Sequence, residues 1–221
     1  MSRYESVLLD LDGTLIDSKP GIVGSHAAAL RDLGHEPDPA FDLTFVIGPV
    51  LKDVMGDVLA HYGDDRVEQA IAAYRRHYAA TGIFEVSLYD GIASLLPALA
   101  GAGLRLFLAT SKRTEFAARI LDHLGLAGHF TGIYGSEPDG FRDHKPELVA
   151  DILRRHDLRP DATVMVGDRR YDIAGAHANG LRAVGALWGY GGRDELEAAG
   201  ADWLAATPAD LAGIVAPEAR T

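Results

Sequence analysis

The sequence predicts an α/β fold, in which a doubly wound parallel sheet forms the core and an all-α segment is inserted near the N-terminus. Two observations predict it: short apolar runs alternate with helical patterns over most of the chain, and one stretch interrupts that alternation. The composition agrees, because 48% of the 221 residues are hydrophobic and 24% are charged, as in ordinary globular domains.

Five apolar runs predict the strands of the sheet. They are rich in Val, Ile and Leu and lack strict polar alternation, which is typical of parallel strands covered on both faces. Helical patterns follow the later runs: in segment 114–126, Phe116, Ile120 and Leu124 lie on one face, and segment 146–158 has a similar stripe. The runs are residues 6–13, 104–111, 131–136, 162–168 and 181–187.

Helical spacing replaces this alternation after Asp17 and continues to about Phe84. Apolar residues recur there every three or four positions, which predicts helices rather than strands. The sequence therefore predicts a helical domain over residues 17–84 and an α/β core over residues 1–16 and 85–221. The helical segments are residues 21–34, 50–63 and 66–82.

Composition and charge exclude several classes of protein. The chain has no cysteine, which excludes thiolate zinc sites and thiol catalysis and fits a reducing cytoplasm. Its formal net charge of −11 repels nucleic-acid backbones, so we expect no nucleic-acid partner. The N-terminus does not resemble a signal peptide, and no run approaches the roughly 20 apolar residues of a membrane span. We therefore expect a cytoplasmic protein without a membrane partner.

Polar and charged side chains follow the predicted strands at their carboxyl ends, where ligands bind in open α/β sheets. The first run is followed by two aspartates and a Gly-Thr pair, and the second ends in two hydroxyls and a lysine. The fourth ends in an aspartate, with another one helical turn later, and a lysine begins the helix after the third. These residues are Asp10, Asp12, Gly13, Thr14, Thr110, Ser111, Lys112, Lys145, Asp168 and Asp172.

The residue types in this set suit phosphoryl transfer. Carboxylate oxygens are ligands for Mg²⁺, and a divalent cation between Asp10 and Asp168 would let the two carboxylates lie close together. Ser111 precedes a predicted helix, whose free N–H groups would bind an anion, and Lys145 would add a positive charge. A carboxylate nucleophile, a metal, hydroxyl and ammonium donors and a second carboxylate for the proton complete the chemistry.

Each group also has a structural explanation when it is taken alone. The pair of Asp12 and Gly13 is common in turns, and Asp172 would complement a helix dipole. Thr110 and Ser111 would cap a helix. All the groups occur in one order at the strand ends, however, and this order favours a functional site.

Four motifs in one order over residues 10–172 resemble those of the haloacid dehalogenase-like hydrolases: DLDGT, TSK, HKPE and GDRRYD. The helical insertion after the first motif resembles the cap of the phosphoglycolate phosphatase-like branch. The resemblance implies a Rossmann-like core that carries this cap. Two segments, GIFEVSLYDGI and YGSEPDGFRDHKPEL, are similar to bacterial members known as phosphoglycolate phosphatase or 5′-nucleotidase.

The resemblance implies a catalytic role for four residues. Asp10 would be the nucleophile that forms an aspartyl-phosphate. Asp12 would protonate the leaving oxygen and then activate the water that hydrolyses the intermediate. Ser111 would bind the transferring phosphoryl group, and Lys145 would neutralise the charge of Asp10 and of the phosphate.

The resemblance also implies ligands for Mg²⁺ and for the phosphate. The ion would be held by the Asp10 carboxylate, the Asp12 backbone carbonyl and Asp168. Asp172 would act through a metal-bound water or by orienting Lys145. The residues implied to bind the substrate phosphate are Gly13, Thr14, Ser111, Lys112 and Lys145.

Asp12 points to phosphate esters, because the dehalogenases of the family lack this second aspartate and need no metal. The implied activity is hydrolysis of a small phosphorylated metabolite by a monomer or homodimer. A 5′-nucleotidase and a phosphomutase of the same family are alternatives, and a mutase would release little inorganic phosphate. A receiver-type phosphoacceptor domain, outside the family, is disfavoured because such domains are shorter and lack a helical insertion.

Three groups of residues have two possible roles each. The cap aromatics either stack on a nucleobase or form the core of the cap itself. Arg75 and Arg76 either contact the substrate or form ion pairs on a helix, and Trp188 and Tyr190 either line the mouth of the pocket or pack. The cap aromatics are Phe41, Phe45, Tyr62, Tyr74 and Tyr78.

Overall fold

The computed structural model describes residues 4–215, which fold around a parallel β-sheet. The described strands are β1 (Ser6–Leu9), β2 (Ile16–Asp17), β3 (Ser87–Leu88), β4 (Arg105–Arg113), β5 (Gly132–Ser136), β6 (Thr163–Gly167), β7 (Arg182–Ala186) and β8 (Trp203–Ala205). Six of them form one sheet in the order β5-β4-β1-β6-β7-β8, and all neighbouring pairs are parallel. The predicted doubly wound parallel sheet is therefore confirmed.

Helices cover both faces of this sheet. Leu8 of β1 packs in one core cluster with Leu148 and Ile173, whereas the next residue, Leu9, packs in a second cluster with Ile120. Successive side chains of a strand point to opposite faces, so burial on both faces produces the continuous apolar run. The described helices are α1 (Lys19–Asp32), α2 (Leu51–His61), α3 (Val67–Ala80), α4 (Ile92–Gly101), α5 (Thr114–His123), α6 (Lys145–His156), α7 (Arg170–His177), α8 (Arg193–Ala198) and α9 (Pro208–Val215).

Four short 3₁₀ helices complete the described elements: Leu43–Val46, Gly82–Phe84, Ala127–His129 and Pro160–Ala162. Between residues 4 and 215, no helix combines the length and the apolar character that crossing a membrane requires.

The inserted segment is all helical, as expected. Helices α1, α2 and α3 lie between β2 and β3 and form the cap, and α3 packs against the other two. On α3, Ile71, Tyr74 and Tyr78 are buried, which is the stripe that helical spacing requires. Strands β2 and β3 pair antiparallel, with Ile16 opposite Leu88, so the chain leaves and re-enters the core side by side. The domain boundaries themselves stay a prediction.

The first predicted run is longer than its strand, and one strand of the six-stranded sheet was not predicted. The predicted run extends to residue 13, but β1 ends at Leu9, so Asp10 and Asp12 lie in the loop beyond it. The loop turns back at once, because Asp12 forms an isolated bridge with Ile16. β8 was not predicted, because a three-residue edge strand is too short to give a recognisable apolar run.

Candidate active site

The carboxyl end of β1 is the point where the strand order reverses. β1 lies between β4 and β6, and the chain crosses to opposite sides of β1 to reach them. Ligands bind at such switch points in open α/β sheets. The structure gathers there Asp10 after β1, residues 110–113 of β4 and Asp168 after β6.

Three buried carboxylates meet one buried lysine at this edge. Asp10, Asp168 and Asp172 each place an oxygen within 4.8 Å of the others. Lys145 Nζ lies 2.8 Å from Asp10 Oδ1 and 2.7 Å from Asp172 Oδ1, and it donates to the Ala109 carbonyl at 2.7 Å. The structure thus brings together four of the residues singled out in the sequence. Lys145 is buried, and its contact with a phosphate stays a prediction.

Burial and the neighbouring charges shift the pKa values of these groups. It raises the pKa of Asp10 to about 7, with Asp172 adding to the effect and Lys145 opposing it. Burial also raises the pKa of Asp168 well above its ordinary value, and Asp172 and Asp10 raise it further. Burial disfavours the charged form of Lys145, but the two carboxylates beside it outweigh this effect and raise the pKa of the ammonium. When all three carboxylates are ionised, they carry more negative charge than the one lysine neutralises.

The loops after β1 and β7 hold Asp168 in place. The backbone N–H of Tyr190 donates to Asp168 Oδ2 at 2.7 Å, and the Thr14 hydroxyl donates to Oδ1 at 3.4 Å. A Cβ atom on Gly13 would lie 2.2 Å from Asp168 Oδ2, and one on Gly189 would lie 2.3 Å from Asp168 Cβ. Both positions therefore require glycine. In this structure Gly13 and Thr14 lie against Asp168, and their contact with the phosphate stays a prediction.

Asp12 belongs to a separate network that reaches the cap. Lys112 Nζ donates to Asp12 Oδ1 at 2.8 Å and also to the Tyr78 hydroxyl of α3. The ammonium lies 4.7 Å from the centre of the Tyr78 ring, and all three side chains are almost completely buried. The charge of Lys112 is thus paired with Asp12 here, and its predicted role in binding the phosphate is untested. The cap contributes directly to the surroundings of Asp12.

A cavity of about 320 Å³ lies between the core and the cap. Asp10, Asp12 and Ser111 line it from the core, and Tyr74 and Arg75 line it from the cap. The Ser111 hydroxyl makes no hydrogen bond to any residue between 4 and 215. It is therefore available to a ligand in the cavity.

The helix after β4 begins later than the sequence indicated. β4 continues to Arg113, which is also the N-cap of α5, and α5 starts at Thr114. Ser111 therefore lies in the strand, and neither Thr110 nor Ser111 caps the helix. The prediction that Ser111 lies at a helix N-terminus is wrong. Ser111 lines the cavity because it belongs to the end of β4, and residues 110–113 of this strand all line the cavity.

Two aromatic residues after β7 support the site rather than line the cavity. Trp188 Nε1 donates to the Thr14 carbonyl at 2.9 Å. The Tyr190 hydroxyl donates to Asp17 Oδ1 at 2.7 Å and accepts from the Ser18 N–H at 2.8 Å. Packing, one of their two possible roles, therefore describes both residues. They join Asp168 to the start of the cap.

Arg169 is a residue of the site that the sequence analysis missed. It directly follows Asp168, and its guanidinium donates to the Ile47 carbonyl in the cap and to Glu195 Oε1 at 2.9 Å. It is buried, so this link between core and cap is shielded from water. Its position in the motif GDRRYD is the one signal in the sequence, and that signal does not reveal the partner.

Comparison with known proteins identifies the family. The sequence profile of the haloacid dehalogenase-like hydrolases matches residues 7–186. A 5′-nucleotidase of Pseudomonas aeruginosa is 43% identical over 199 residues, which cover 89% of this chain and 88% of that protein. The tyrosine-protein kinase PtkA of Mycobacterium tuberculosis is 44% identical over 86% of this chain, and the match spans 65% of that protein. A phosphoglycolate phosphatase of Aquifex aeolicus is 31% identical over 93% of both chains.

A solved structure has the same fold. The crystal structure of a "predicted phosphatase" from Clostridium acetobutylicum superposes with a TM-score of 0.90 at 36% identity, and the match covers 97% of this chain and 99% of that chain. The residues that match the family profile include the strand ends that carry Asp10, Ser111 and Asp168. The chain therefore belongs to the haloacid dehalogenase-like hydrolase family, and it is a phosphatase of that family.

Proposed function

We propose that this phosphatase is Mg²⁺-dependent and hydrolyses small phosphate monoesters through an aspartyl-phosphate on Asp10, with phosphoglycolate as the type of substrate. One observation carries the proposal: the carboxylate of Asp10 faces the cavity beside Asp12 and Ser111, while Lys145 holds it at 2.8 Å from the buried side. A carboxylate that is held on one side and open on the other is suited to act as a nucleophile.

The first step transfers the phosphoryl group to the protein. A carboxylate oxygen of Asp10 attacks phosphorus, and the bond from phosphorus to the ester oxygen breaks. Asp12, which exchanges its ion pair with Lys112 for a proton from solvent when the substrate binds, gives that proton to the ester oxygen. The Ser111 hydroxyl donates to a phosphoryl oxygen, and Lys145 keeps the Asp10 side chain oriented. The products of this step are the free alcohol and the aspartyl-phosphate.

The second step returns the protein to its starting state. A water molecule attacks phosphorus, Asp12, now ionised, takes its proton, and the bond from phosphorus to the Asp10 oxygen breaks. Inorganic phosphate leaves, Asp10 is a carboxylate again and Asp12 is protonated again. The cap covers the site through the contact of Tyr78 with Lys112, which limits the entry of bulk water.

The buried carboxylates fit a magnesium ion. Asp10, Asp168 and Asp172 offer three oxygens within 4.8 Å of one another, and Mg²⁺ prefers oxygen ligands. Lys145 supplies a single positive charge to three carboxylates, so the site is short of positive charge without the ion. Held by these side chains and the Asp12 carbonyl, the ion would neutralise the carboxylates and the negative charge of the phosphate.

Mg²⁺ is expected to raise the melting temperature of the wild-type protein and to raise that of Asp168→Asn much less. An ion at 100 times its Kd adds about 2.7 kcal/mol to the free energy of unfolding. Without the ion, the variant should melt no lower than the wild type, because it removes one of three repelling carboxylates and keeps an oxygen for the Tyr190 N–H. Calorimetry in EDTA and in Mg²⁺ measures both effects.

The control for the metal experiment is Asp161→Asn, because Asp161 is an exposed carboxylate away from the cluster. It should show the full shift of the wild type. An equal Mg²⁺ shift in Asp168→Asn would contradict the assignment of Asp168 as a ligand.

The cavity favours a small substrate over a nucleotide. Its volume of about 320 Å³ is near the lower end of the roughly 300–1,000 Å³ of ligand pockets. Its rings already contact one another: Tyr74 stacks on Tyr78 with centroids 5.4 Å apart, and Phe116 meets Tyr78 edge-on at 5.6 Å. Lys112 covers the Tyr78 ring further. These two cap aromatics are therefore used in packing, which leaves little free ring surface for a nucleobase.

A 5′-nucleotidase is the second candidate, because the relative from P. aeruginosa has that name and is 43% identical. The test compares kcat/KM for phosphate release from 2-phosphoglycolate and from a 5′-nucleoside monophosphate, both with Mg²⁺. We expect a preference of at least tenfold for phosphoglycolate, which corresponds to about 1.4 kcal/mol. The reverse preference would assign the nucleotide, and substrate consumption without phosphate release would indicate a phosphomutase.

A further inference from the structure

Two arginines face the cavity without a carboxylate partner. Arg75 of α3 and Arg113 at the end of β4 both line it and are half-buried. Neither guanidinium forms an ion pair or a hydrogen bond with any residue between 4 and 215. Arg76, the next residue of α3, is different: it is exposed and pairs with Asp32 at 3.1 Å. The sequence left two roles open for Arg75 and Arg76: contact with the substrate or an ion pair on the helix. Arg76 forms the ion pair, and Arg75 faces the cavity.

The two unpaired guanidiniums lie near enough to each other for their positive charges to interact. Burial lowers the pKa of Arg75, and the positive charge of Arg113 lowers it further. Glu68 and Asp143 are near enough to favour the charge of Arg75, but neither pairs with it directly. Like charges at a partly buried surface repel one another, and an anion between them would remove that repulsion.

Arg113 lies close in the chain to Ser111, the residue proposed to bind the phosphoryl group. Arg113 is two residues beyond Ser111 on β4, and two residues of extended chain span about 7 Å. In phosphoglycolate, one ester oxygen and one methylene group separate the phosphorus from the carboxylate. A single small molecule can therefore place its phosphoryl group at Ser111 and its carboxylate at the arginines. Guanidinium is the side chain best matched to a carboxylate, because it donates two parallel hydrogen bonds.

We propose that Arg75 and Arg113 form a subsite for a second anionic group of the substrate, a carboxylate close to the phosphate ester. The proposal rests on the proposed function, because it takes the phosphoryl group to lie at Asp10 and Ser111. One arginine comes from the cap and the other from the core, so the subsite is complete when the two domains are together. The class of substrate is then a small phosphorylated carboxylic acid.

The test compares 2-phosphoglycolate with 2-hydroxyethyl phosphate, in which a neutral hydroxymethyl group replaces the carboxylate. Arg75→Gln is expected to lower kcat/KM for phosphoglycolate about ten- to hundredfold, as for a lost hydrogen bond to a charged group. The loss should come mainly through KM, because the subsite binds substrate and transition state alike. The kcat/KM for hydroxyethyl phosphate should be nearly unchanged. Arg76→Gln is the matched control and should leave both values as in the wild type.

Equal losses on the two substrates in Arg75→Gln would overturn the subsite, and so would a wild-type protein that does not distinguish them. Binding is measured separately, by calorimetric titration of the Asp10→Asn protein with phosphoglycolate in Mg²⁺, with and without Arg75→Gln. Weaker binding in the double variant supports the subsite, and equal binding overturns it. If the wild type hydrolyses neither compound while this difference in binding persists, the catalytic proposal fails and the subsite stands.

Discussion

Asp10→Asn is expected to lose almost all release of phosphate. The amide of asparagine cannot form the acyl-phosphate, so kcat should fall on the order of 10⁴–10⁶-fold, as when a nucleophile or its partner is removed from other hydrolases. The measurement is phosphate release at saturating 2-phosphoglycolate and Mg²⁺. Mass spectrometry after an acid quench should find a phosphoryl group on Asp10 of the wild type and none at this position in the variant.

The same variant should keep its fold, which makes the loss of turnover interpretable. Asparagine keeps an oxygen for Lys145 and removes a charge that burial and Asp172 disfavour. Lys145 also retains the Asp172 carboxylate at 2.7 Å and the Ala109 carbonyl at 2.7 Å. The metal-free variant should therefore melt within a few degrees of the metal-free wild type. A folded variant whose kcat stays within about tenfold of the wild type, a barrier change of about 1.4 kcal/mol, would exclude Asp10 as the nucleophile.

The strands and helices are predictable from the sequence because their signals are local. Leu8 and Leu9 are both fully buried although they point to opposite faces, so β1 has to be apolar at every position. On α3, Ile71, Tyr74 and Tyr78 are buried on one face, and their spacing is that of a helix. For β1 and for α3, the pattern of apolar residues therefore shows which faces of that one element are buried.

The partners of the charged residues are not predictable in this way. Lys112 and Asp12 are 100 residues apart in the chain, and Arg169 and Ile47 are 122 residues apart. Such pairs form because distant elements pack together, and no spacing in the sequence records them. The sequence identified Lys112 as a cation at a strand end, but it could not distinguish pairing with a phosphate from pairing with Asp12.

The end of β4 shows why element boundaries are also difficult. β5 pairs with β4 as far as Ser136 opposite Arg113, after a shift of register beyond Ala109. The neighbouring strand therefore extends β4 past Ser111, although the local sequence of two hydroxyls before a helical pattern is typical of a helix cap. Tertiary pairing decides the boundary here, and local propensity does not.

Asp12→Asn is expected to lower kcat for phosphoglycolate about 10²–10⁴-fold, the usual contribution of a general acid–base group. Asparagine keeps the shape of the side chain and an oxygen for Lys112, whose ammonium lies 2.8 Å from Asp12. Both Asp12→Asn and Asp12→Ala remove the negative charge opposite that buried ammonium, and loss of a buried ion-pair partner typically costs about 3–5 kcal/mol of stability. Only Asp12→Asn keeps a hydrogen-bond acceptor for it, so the melting temperature of each variant is measured to show that kcat is compared between folded proteins.

The leaving group separates the two roles of Asp12. p-Nitrophenolate leaves without a proton, whereas the alkoxide of glycolate needs one, so the first step of Asp12→Asn should be slowed far less with p-nitrophenyl phosphate. The second step should remain slow with both substrates, because no carboxylate takes the proton of the attacking water. The variant should therefore give a rapid stoichiometric burst of p-nitrophenol, then slow turnover, with the phosphoryl group accumulating on Asp10. Fast steady-state turnover of p-nitrophenyl phosphate by the variant would show that Asp12 is not the base of the second step.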